Sequence, residues 1–171
     1  MKITKKNTVF FHVHTKYRNR NYPTQLGAVH AGSDKSFSCK LKPGITTARG
    51  LESFKTFLKK MNGGKPVMLA GHNVHRFDKQ VLEIASLTTK VRIPPSLVKG
   101  YCDTLTAIKK NCKMKSYSME GLAKTFSEKK KRHDALHDSE LLKKLTAKAQ
   151  LKSGKTTMST FFNGSYKPNR G

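Results

Sequence analysis

A short apolar run in the middle of the chain constrains the fold more than any other feature. Residues 66–70 (PVMLA) are continuously apolar, which is typical of a strand buried on both faces of a sheet. The run follows residues 50–61, where large apolar side chains recur at helical spacing until Gly63 and Gly64 end the pattern. Such a strand needs a packed layer on each side, so we expect helices on both faces of the sheet.

The segments on either side of this run predict the rest of an α/β fold. Residues 8–14 (TVFFHVH) have the β-branched and aromatic composition of a buried strand, and residues 25–30 and 36–41 look like two further strands separated by turn residues. Three antiparallel-type strands followed by parallel strands predict a mixed sheet. Further helices are predicted over residues 77–87, 103–110, 118–126 and 134–149.

The charge balance predicts a polyanionic partner. The 171 residues include 35 Lys and Arg against 10 Asp and Glu, a formal net charge of +25, and the basic residues are spread along the chain. This favours nucleic acid over a membrane, and no apolar run approaches the roughly 20 residues of a spanning helix. The N-terminus lacks a secretory signal, so we expect an intracellular protein. A nuclear location is predicted by a match to a short import signal, Lys129, Lys130, Lys131 and Arg132.

Two motifs carry a resemblance to a known family. Residues 72–78 (HNVHRFD) follow the buried strand and open a helix, and residues 133–141 (HDALHDSEL) begin the last long helix. They resemble the second and third motifs of the DEDDh three-prime-to-five-prime exonucleases, in the same order. The resemblance covers about residues 8–149 and implies a ribonuclease-H-like fold. It also implies that Asp78 and Asp138 are metal ligands and that His133 is the general base for the attacking water.

The first motif of that family departs from its pattern here. The family places Asp-x-Glu on its first strand, and these carboxylates help to hold two divalent ions about 4 Å apart. This chain has His12 and His14 at those positions, on one face of the strand because their spacing is two. Magnesium prefers oxygen ligands, so a site left with Asp78 and Asp138 as its carboxylates should not support the two-magnesium reaction.

The sequence therefore predicts a degenerate domain that binds single-stranded DNA or RNA without efficient magnesium-dependent cleavage. No cofactor is expected on this reading. One alternative keeps a metal, because His12, His14, Asp78 and Asp138 form a nitrogen and oxygen set suited to a single zinc or manganese ion. The chain would then be an exonuclease with a nonstandard metal. A third alternative is an adaptor that uses the exonuclease scaffold to bind other proteins.

The C-terminal segment differs in composition from the rest. We assign residues 1–150 to the exonuclease-like domain and predict that residues 151–171, rich in Gly, Ser, Thr, Lys and Asn, form a basic disordered tail. Within it, Met158, Phe161 and Phe162 have the spacing that places three apolar side chains on one helical turn. With Lys155 in place of the usual Gln, they resemble the motif that docks on the replication sliding clamp, which implies that clamp as a further partner.

Overall fold

Six strands and six α-helices follow one another in the computed structural model, which describes residues 2–130 and 134–171. In chain order they are β1 (Thr8–Thr15), β2 (Pro23–His30), β3 (Ser36–Lys40), α1 (Ile45–Lys59), β4 (Val67–Gly71), α2 (Asp78–Thr89), β5 (Val98–Asp103), α3 (Thr104–Asn111), α4 (Met119–Thr125), α5 (Ala135–Ser153), α6 (Met158–Phe161) and β6 (Tyr166–Pro168). A short 3-10 turn, Lys16–Arg18, lies at the tip of the β1–β2 hairpin.

The strands form one mixed sheet in the order β3-β2-β1-β4-β5-β6. Strands β1, β2 and β3 make an antiparallel meander, β4 lies parallel to β1, and β5 lies parallel to β4. Strand β6 closes the far edge antiparallel to β5. The predicted α/β class with a mixed sheet is confirmed, although β5 and β6 were not among the predicted strands.

The alternation of side chains along β1 divides the core into two layers. Val9, Phe11 and Val13 point to one face, where they pack with α1 and α2. Phe10 points to the other face and packs in the layer formed by α3 to α6. Because side chains on a strand alternate with a period of two, His12 and His14 share the face of Phe10, which is the face that α5 covers.

A glycine in β2 allows α5 to approach this face closely. Gly27 lies opposite His12 in the β1–β2 register, and a Cβ added there would collide with the backbone of Ala135 and Leu136. The contact is held by Ser139, whose hydroxyl donates to Gly27 O at 2.9 Å, and by Gln25, whose Oε1 accepts from Ala135 N at 2.9 Å. The first turn of α5 is therefore fixed directly above β1 and β2.

The prediction of a disordered tail is wrong for the segment after residue 150. Helix α5 continues through residue 150 to Ser153, α6 follows, and β6 pairs with β5. The hydroxyl of Thr157 caps α6 by accepting from Thr160 N. The segment is ordered because Met158, Phe161 and Phe162 pack into the layer beneath α5 instead of facing water.

The same burial corrects the interpretation of the clamp-like motif. Met158 is 7% exposed, and Phe161 and Phe162 are 0% exposed within the layer that contains Phe10. The side-chain amide of Asn111 also donates to Phe161 O at 2.8 Å. The spacing does place three side chains on one face, but that face packs against the domain itself, so both rings would have to leave the core to dock elsewhere. Lys155 remains exposed.

No helix within residues 2–130 and 134–171 is both long enough and apolar enough to cross a membrane.

Candidate functional site

Three elements bring four of the predicted site residues together. His12 and His14 extend from β1, Asp78 is the first residue of α2, and Asp138 lies in the first turn of α5. The turn before α2 is held by Asp103, whose carboxylate accepts from Asn73 N at 2.9 Å and also caps α3. The site therefore lies where β1, the β4–α2 connection and α5 meet.

Asp138 contacts both histidines through a single oxygen. His14 Nε2 lies 2.7 Å from Asp138 Oδ2, a hydrogen bond in which the ring donates to the carboxylate. His12 Nε2 lies 3.5 Å from the same oxygen. The two rings are edge to face, with centroids 5.0 Å apart and an interplanar angle of 86°. One donor atom from each of these three residues lies within 4.8 Å of the other two.

Asp78 lies on the other side of His12. Its Oδ1 accepts from Val13 N at 3.2 Å and is 4.0 Å from His12 Nδ1. Asp78 is 1% exposed. Within the described ranges, Asp78 Oδ2 and His12 Nδ1 are buried atoms without a hydrogen-bond partner. Each of them therefore carries a desolvation cost that no hydrogen bond within the described ranges offsets.

Burial perturbs the ionisation of these residues in different directions. It lowers the pKa of His12 to about 4, although the negative charge of Asp138 opposes the change. It raises the pKa of Asp78 to about 8, with the Val13 N–H opposing and the carboxylates of Asp103 and Asp138 adding to the rise. His12 is therefore neutral near pH 7, and Asp78 is largely protonated.

Asp138 behaves differently from Asp78. Burial acts to raise its pKa, but the hydrogen bond from His14 and the imidazole charges more than compensate, so its pKa lies below the ordinary value. The hydrogen bond from His14 is the largest of the effects that lower this pKa. Asp138 is accordingly the ionised carboxylate of this centre.

The donor set does not fit a pair of magnesium ions. Two hard ions need several anionic oxygens, whereas this centre offers two imidazoles, one ionised carboxylate and one carboxyl group that burial keeps largely protonated. The same set does fit one ion that accepts nitrogen as well as oxygen ligands. His12, His14 and Asp138 are the residues that would hold it, and the chemistry such an ion supplies is Lewis acidity.

Other predicted residues lie elsewhere or outside the described ranges. His133, the predicted general base, falls outside them, as do Lys131 and Arg132 of the import-signal match. His72 and His75 contact Tyr117 O at 2.6 Å and Ser165 O at 3.2 Å through their Nε2 atoms. His137 lies on the exposed side of α5.

Two features that shape the site were not predicted from the sequence. Gly27 sets the distance between β1 and α5, and the signal for it was an isolated glycine within a strand pattern. The tip of the β1–β2 hairpin begins directly after His14 and Thr15, and its Tyr17 is 90% exposed. The alternation of basic and aromatic residues over 16–22 (KYRNRNY) was the available signal.

Comparisons with known proteins bear on the fold. No protein-family model matches the sequence, and a search of curated proteins finds no match. Exonuclease X, solved with a five-prime overhanging duplex DNA, is similar with a TM-score of 0.56 and 14% identity, covering 91% of this chain and 99% of its own. A three-prime exonuclease solved in specific recognition of the histone mRNA stem-loop gives 0.65 and 10%, covering 98% of this chain and 72% of its own.

Exonuclease I of E. coli, solved with a dA16 oligonucleotide, gives a TM-score of 0.58 and 16% identity over 91% of this chain. The match spans 42% of that longer protein. These likenesses show that the chain has the ribonuclease-H-like α/β fold of these exonucleases.

Proposed function

We propose that this chain is a nucleic-acid-binding domain on an exonuclease scaffold that lacks efficient magnesium-dependent three-prime-to-five-prime exonuclease activity. The observation that carries the proposal is the pairing of His12 and His14 with Asp138 through one carboxylate oxygen. Where a two-ion centre needs converging anionic oxygens, two ring nitrogens converge on Asp138 instead.

The electrostatics of the centre support the loss of magnesium chemistry. Asp78 is largely protonated near pH 7, and His14 already neutralises part of the charge on Asp138. A magnesium ion entering the centre would meet about one negative charge, that of Asp138, which already accepts a hydrogen bond from His14. It would also have to exchange water ligands for imidazole nitrogen. Its binding should therefore be weak at millimolar concentration.

The hairpin beside the centre supports binding of a single strand. Lys16 Nζ lies 5.4 Å from the centroid of the Tyr17 ring, and Tyr17 itself is 90% exposed. An exposed ring next to ammonium and guanidinium groups can stack on a base while the cations contact phosphates, and such stacking contributes about 1–3 kcal/mol per base. Residues 16–18 thus form a platform that begins directly after Thr15, two positions along the chain from His14.

The position of this platform is fixed by Arg20. Its guanidinium donates to Arg76 O at 3.0 Å and lies 5.6 Å from the centroid of the Phe77 ring. The hairpin tip is thereby tied to the turn that ends at Asp78. A strand lying along the hairpin would pass directly over the centre, as a strand held for cleavage would, although the centre lacks the carboxylates for that reaction.

A nuclease assay tests the proposal. Wild-type protein with magnesium should leave a five-prime-labelled single strand at full length. The double variant His12→Asp with His14→Glu should gain magnesium binding and some shortening of the strand, because Asp78 and Asp138 are already present. Adding Asp138→Asn to that double variant should remove the gain. Robust magnesium-dependent shortening by the wild type, abolished by Asp78→Ala, would overturn the proposal.

A salt titration separates nucleic-acid binding from the adaptor alternative. The logarithm of the binding constant for a labelled oligonucleotide should fall linearly with the logarithm of the salt concentration. On single strands the slope should be about 0.7 for each phosphate contact. Tyr17→Ala should weaken binding about 5- to 100-fold through lost stacking, whereas Leu151→Ala, an exposed position on α5, should not. Binding that is absent or insensitive to salt would favour a protein partner instead. DNA and RNA oligonucleotides of one sequence should be compared.

A further inference from the structure

We propose that His12, His14 and Asp138 form a site for one transition-metal ion of the zinc class, with Asp78 acting on His12 from outside the coordination shell. This inference rests on the same histidine replacements as the proposed function, but it assigns them a positive role. The replacements exchange a magnesium centre for a nitrogen-rich centre.

The spacing of the donor atoms is close to what such an ion requires. Zinc binds imidazole nitrogen and carboxylate oxygen at about 2.0–2.2 Å, which places neighbouring ligand atoms of a tetrahedron about 3.4 Å apart. His12 Nε2 is 3.5 Å from Asp138 Oδ2, and the three donor atoms all lie within 4.8 Å of one another. His14 Nε2, at 2.7 Å from the same oxygen, would exchange the proton that it donates for the ion.

Asp78 is placed to orient His12 instead of binding the ion. An imidazole that binds metal through Nε2 carries its proton on Nδ1, and such a proton is almost always donated to a carboxylate, a carbonyl or a water. His12 Nδ1 faces Asp78 Oδ1 at 4.0 Å, and Val13 N holds that oxygen at 3.2 Å. His12 Nδ1 and Asp78 Oδ2, which are both buried and have no hydrogen-bond partner within the described ranges, belong to this pair.

Two nearby histidines within the described ranges, His72 and His137, do not share this arrangement. His72 bridges Thr104 and the main chain of Tyr117, and so uses both ring nitrogens within the fold. His137 lies beside Asp138 in sequence, but its ring is on the exposed side of α5 and pairs with Asp134 at 3.8 Å. His137→Ala therefore serves as a matched control, because it removes an imidazole from the same helix turn without touching the proposed site.

Metal titration of chelator-treated protein tests the site directly. Calorimetry with zinc chloride should give one ion per chain, zinc should raise the thermal midpoint, and millimolar magnesium should do neither. His12→Ala and His14→Ala should each weaken zinc binding at least 10-fold, whereas His137→Ala should leave it unchanged. Circular dichroism and the metal-free midpoint of each variant establish that it is folded. Equal zinc binding by the His14→Ala and wild-type proteins, or no zinc binding by a folded wild type, would overturn the proposal.

The role of Asp78 is tested with cobalt as a spectroscopic probe. Asp78→Ala should weaken metal binding about 10- to 100-fold, as expected for the loss of an outer partner. Asp78→Asn retains an acceptor for the His12 N–H and should recover part of that affinity. The visible bands of bound cobalt should keep their position in Asp78→Asn, since the ligands are unchanged. A clear shift of those bands would instead make Asp78 a direct ligand and contradict its assigned position.

These measurements contain no nucleic acid, so their outcome is separable from that of the proposed function. Failure to bind zinc would leave the single-strand binding and the missing magnesium activity as they stand. Magnesium-dependent cleavage by the wild type would overturn the proposed function whatever the result with zinc.

Discussion

Replacing Gly27 by alanine should loosen the fold and the centre together. The new Cβ would lie 2.5 Å from Ala135 O, whereas ordinary contact begins at 3.4 Å, so α5 must withdraw by roughly 1 Å. The obstacle is main chain, which cannot yield by rotating a side chain. Such overpacking costs about 1–3 kcal/mol, and losing the bond from the Ser139 hydroxyl to Gly27 O adds about 1 kcal/mol. For a domain of this size, that total corresponds to a fall of about 5–15 °C in the thermal midpoint.

The same withdrawal should weaken the centre. Asp138 lies one turn after Ala135, so a shift of about 1 Å would stretch the 2.7 Å contact with His14 beyond hydrogen-bonding distance. Thermal unfolding and a zinc titration of the Gly27→Ala protein should therefore change together. Ser38→Ala is the control, because Ser38 pairs with Gly27 on the neighbouring strand and is exposed. A midpoint within about 1 °C of the wild type would refute the account of how α5 is positioned.

Two further predictions concern the C-terminal segment and pH. Phe161→Ala should lower the free energy of unfolding in urea by about 3–5 kcal/mol, whereas Leu151→Ala, 83% exposed, should change it by less than about 0.5 kcal/mol, and equal effects would contradict the burial of α6. In metal-free protein, the pKa of about 8 at Asp78 makes stability fall as pH rises above its ordinary 3.8, while the pKa of about 4 at His12 makes stability fall as pH drops below 6.5. The two trends oppose each other up to pH 6.5, so the fall in stability should appear between pH 6.5 and 8. Thermal melts of Asp78→Asn should lack this fall, and a fall that persists in that variant would contradict the raised pKa of Asp78.

The sequence predicted the elements that have a strong pattern of their own. The apolar run at residues 66–70 became β4, and the helical spacing over 50–61 became the C-terminal part of α1. Strand β5, VKGYCD, was missed because Lys, Gly and Asp interrupt its apolar residues. Its extended conformation depends on pairing with β4 and β6, and its Gly100 lies against the Tyr166 ring of β6, a contact between residues far apart in the sequence.

The C-terminal segment shows why composition misled the prediction. Residues 151–171 are polar on average, which indicated disorder, and a periodic pattern of three apolar side chains indicated a docking face. Periodicity identifies such a face without identifying what covers it. Here the cover is the layer around Phe10 and Ile108, and the short helix is stable because Phe161 and Phe162 pack there, edge to face with centroids 5.4 Å apart.

The membership of the centre could be read from the sequence, but its internal arrangement could not. Strand periodicity places His12 and His14 on one face, and the two motifs supply Asp78 and Asp138. Which nitrogen faces which carboxylate depends on the height of α5 above β1, and that height is set by Gly27 and the backbone of Ala135. The sequence prediction made the four side chains equivalent ligands. In the structure, Asp78 instead faces His12 Nδ1 and lies outside the group formed by His12, His14 and Asp138.

That arrangement explains how the centre avoids the mutual repulsion of four carboxylates. Four converging carboxylates repel one another unless cations neutralise them, but an imidazole at residue 12 presents Nε2 to Asp138 and Nδ1 to Asp78 and so keeps the two carboxyl groups apart. Asp78 then avoids the cost of a buried charge by holding its proton, and Asp138 shares its charge with His14. The centre therefore carries about one negative charge instead of four, so the first turn of α5 can pack closely over β1. A metal ion bound at the proposed site would be selected by its preference for nitrogen ligands.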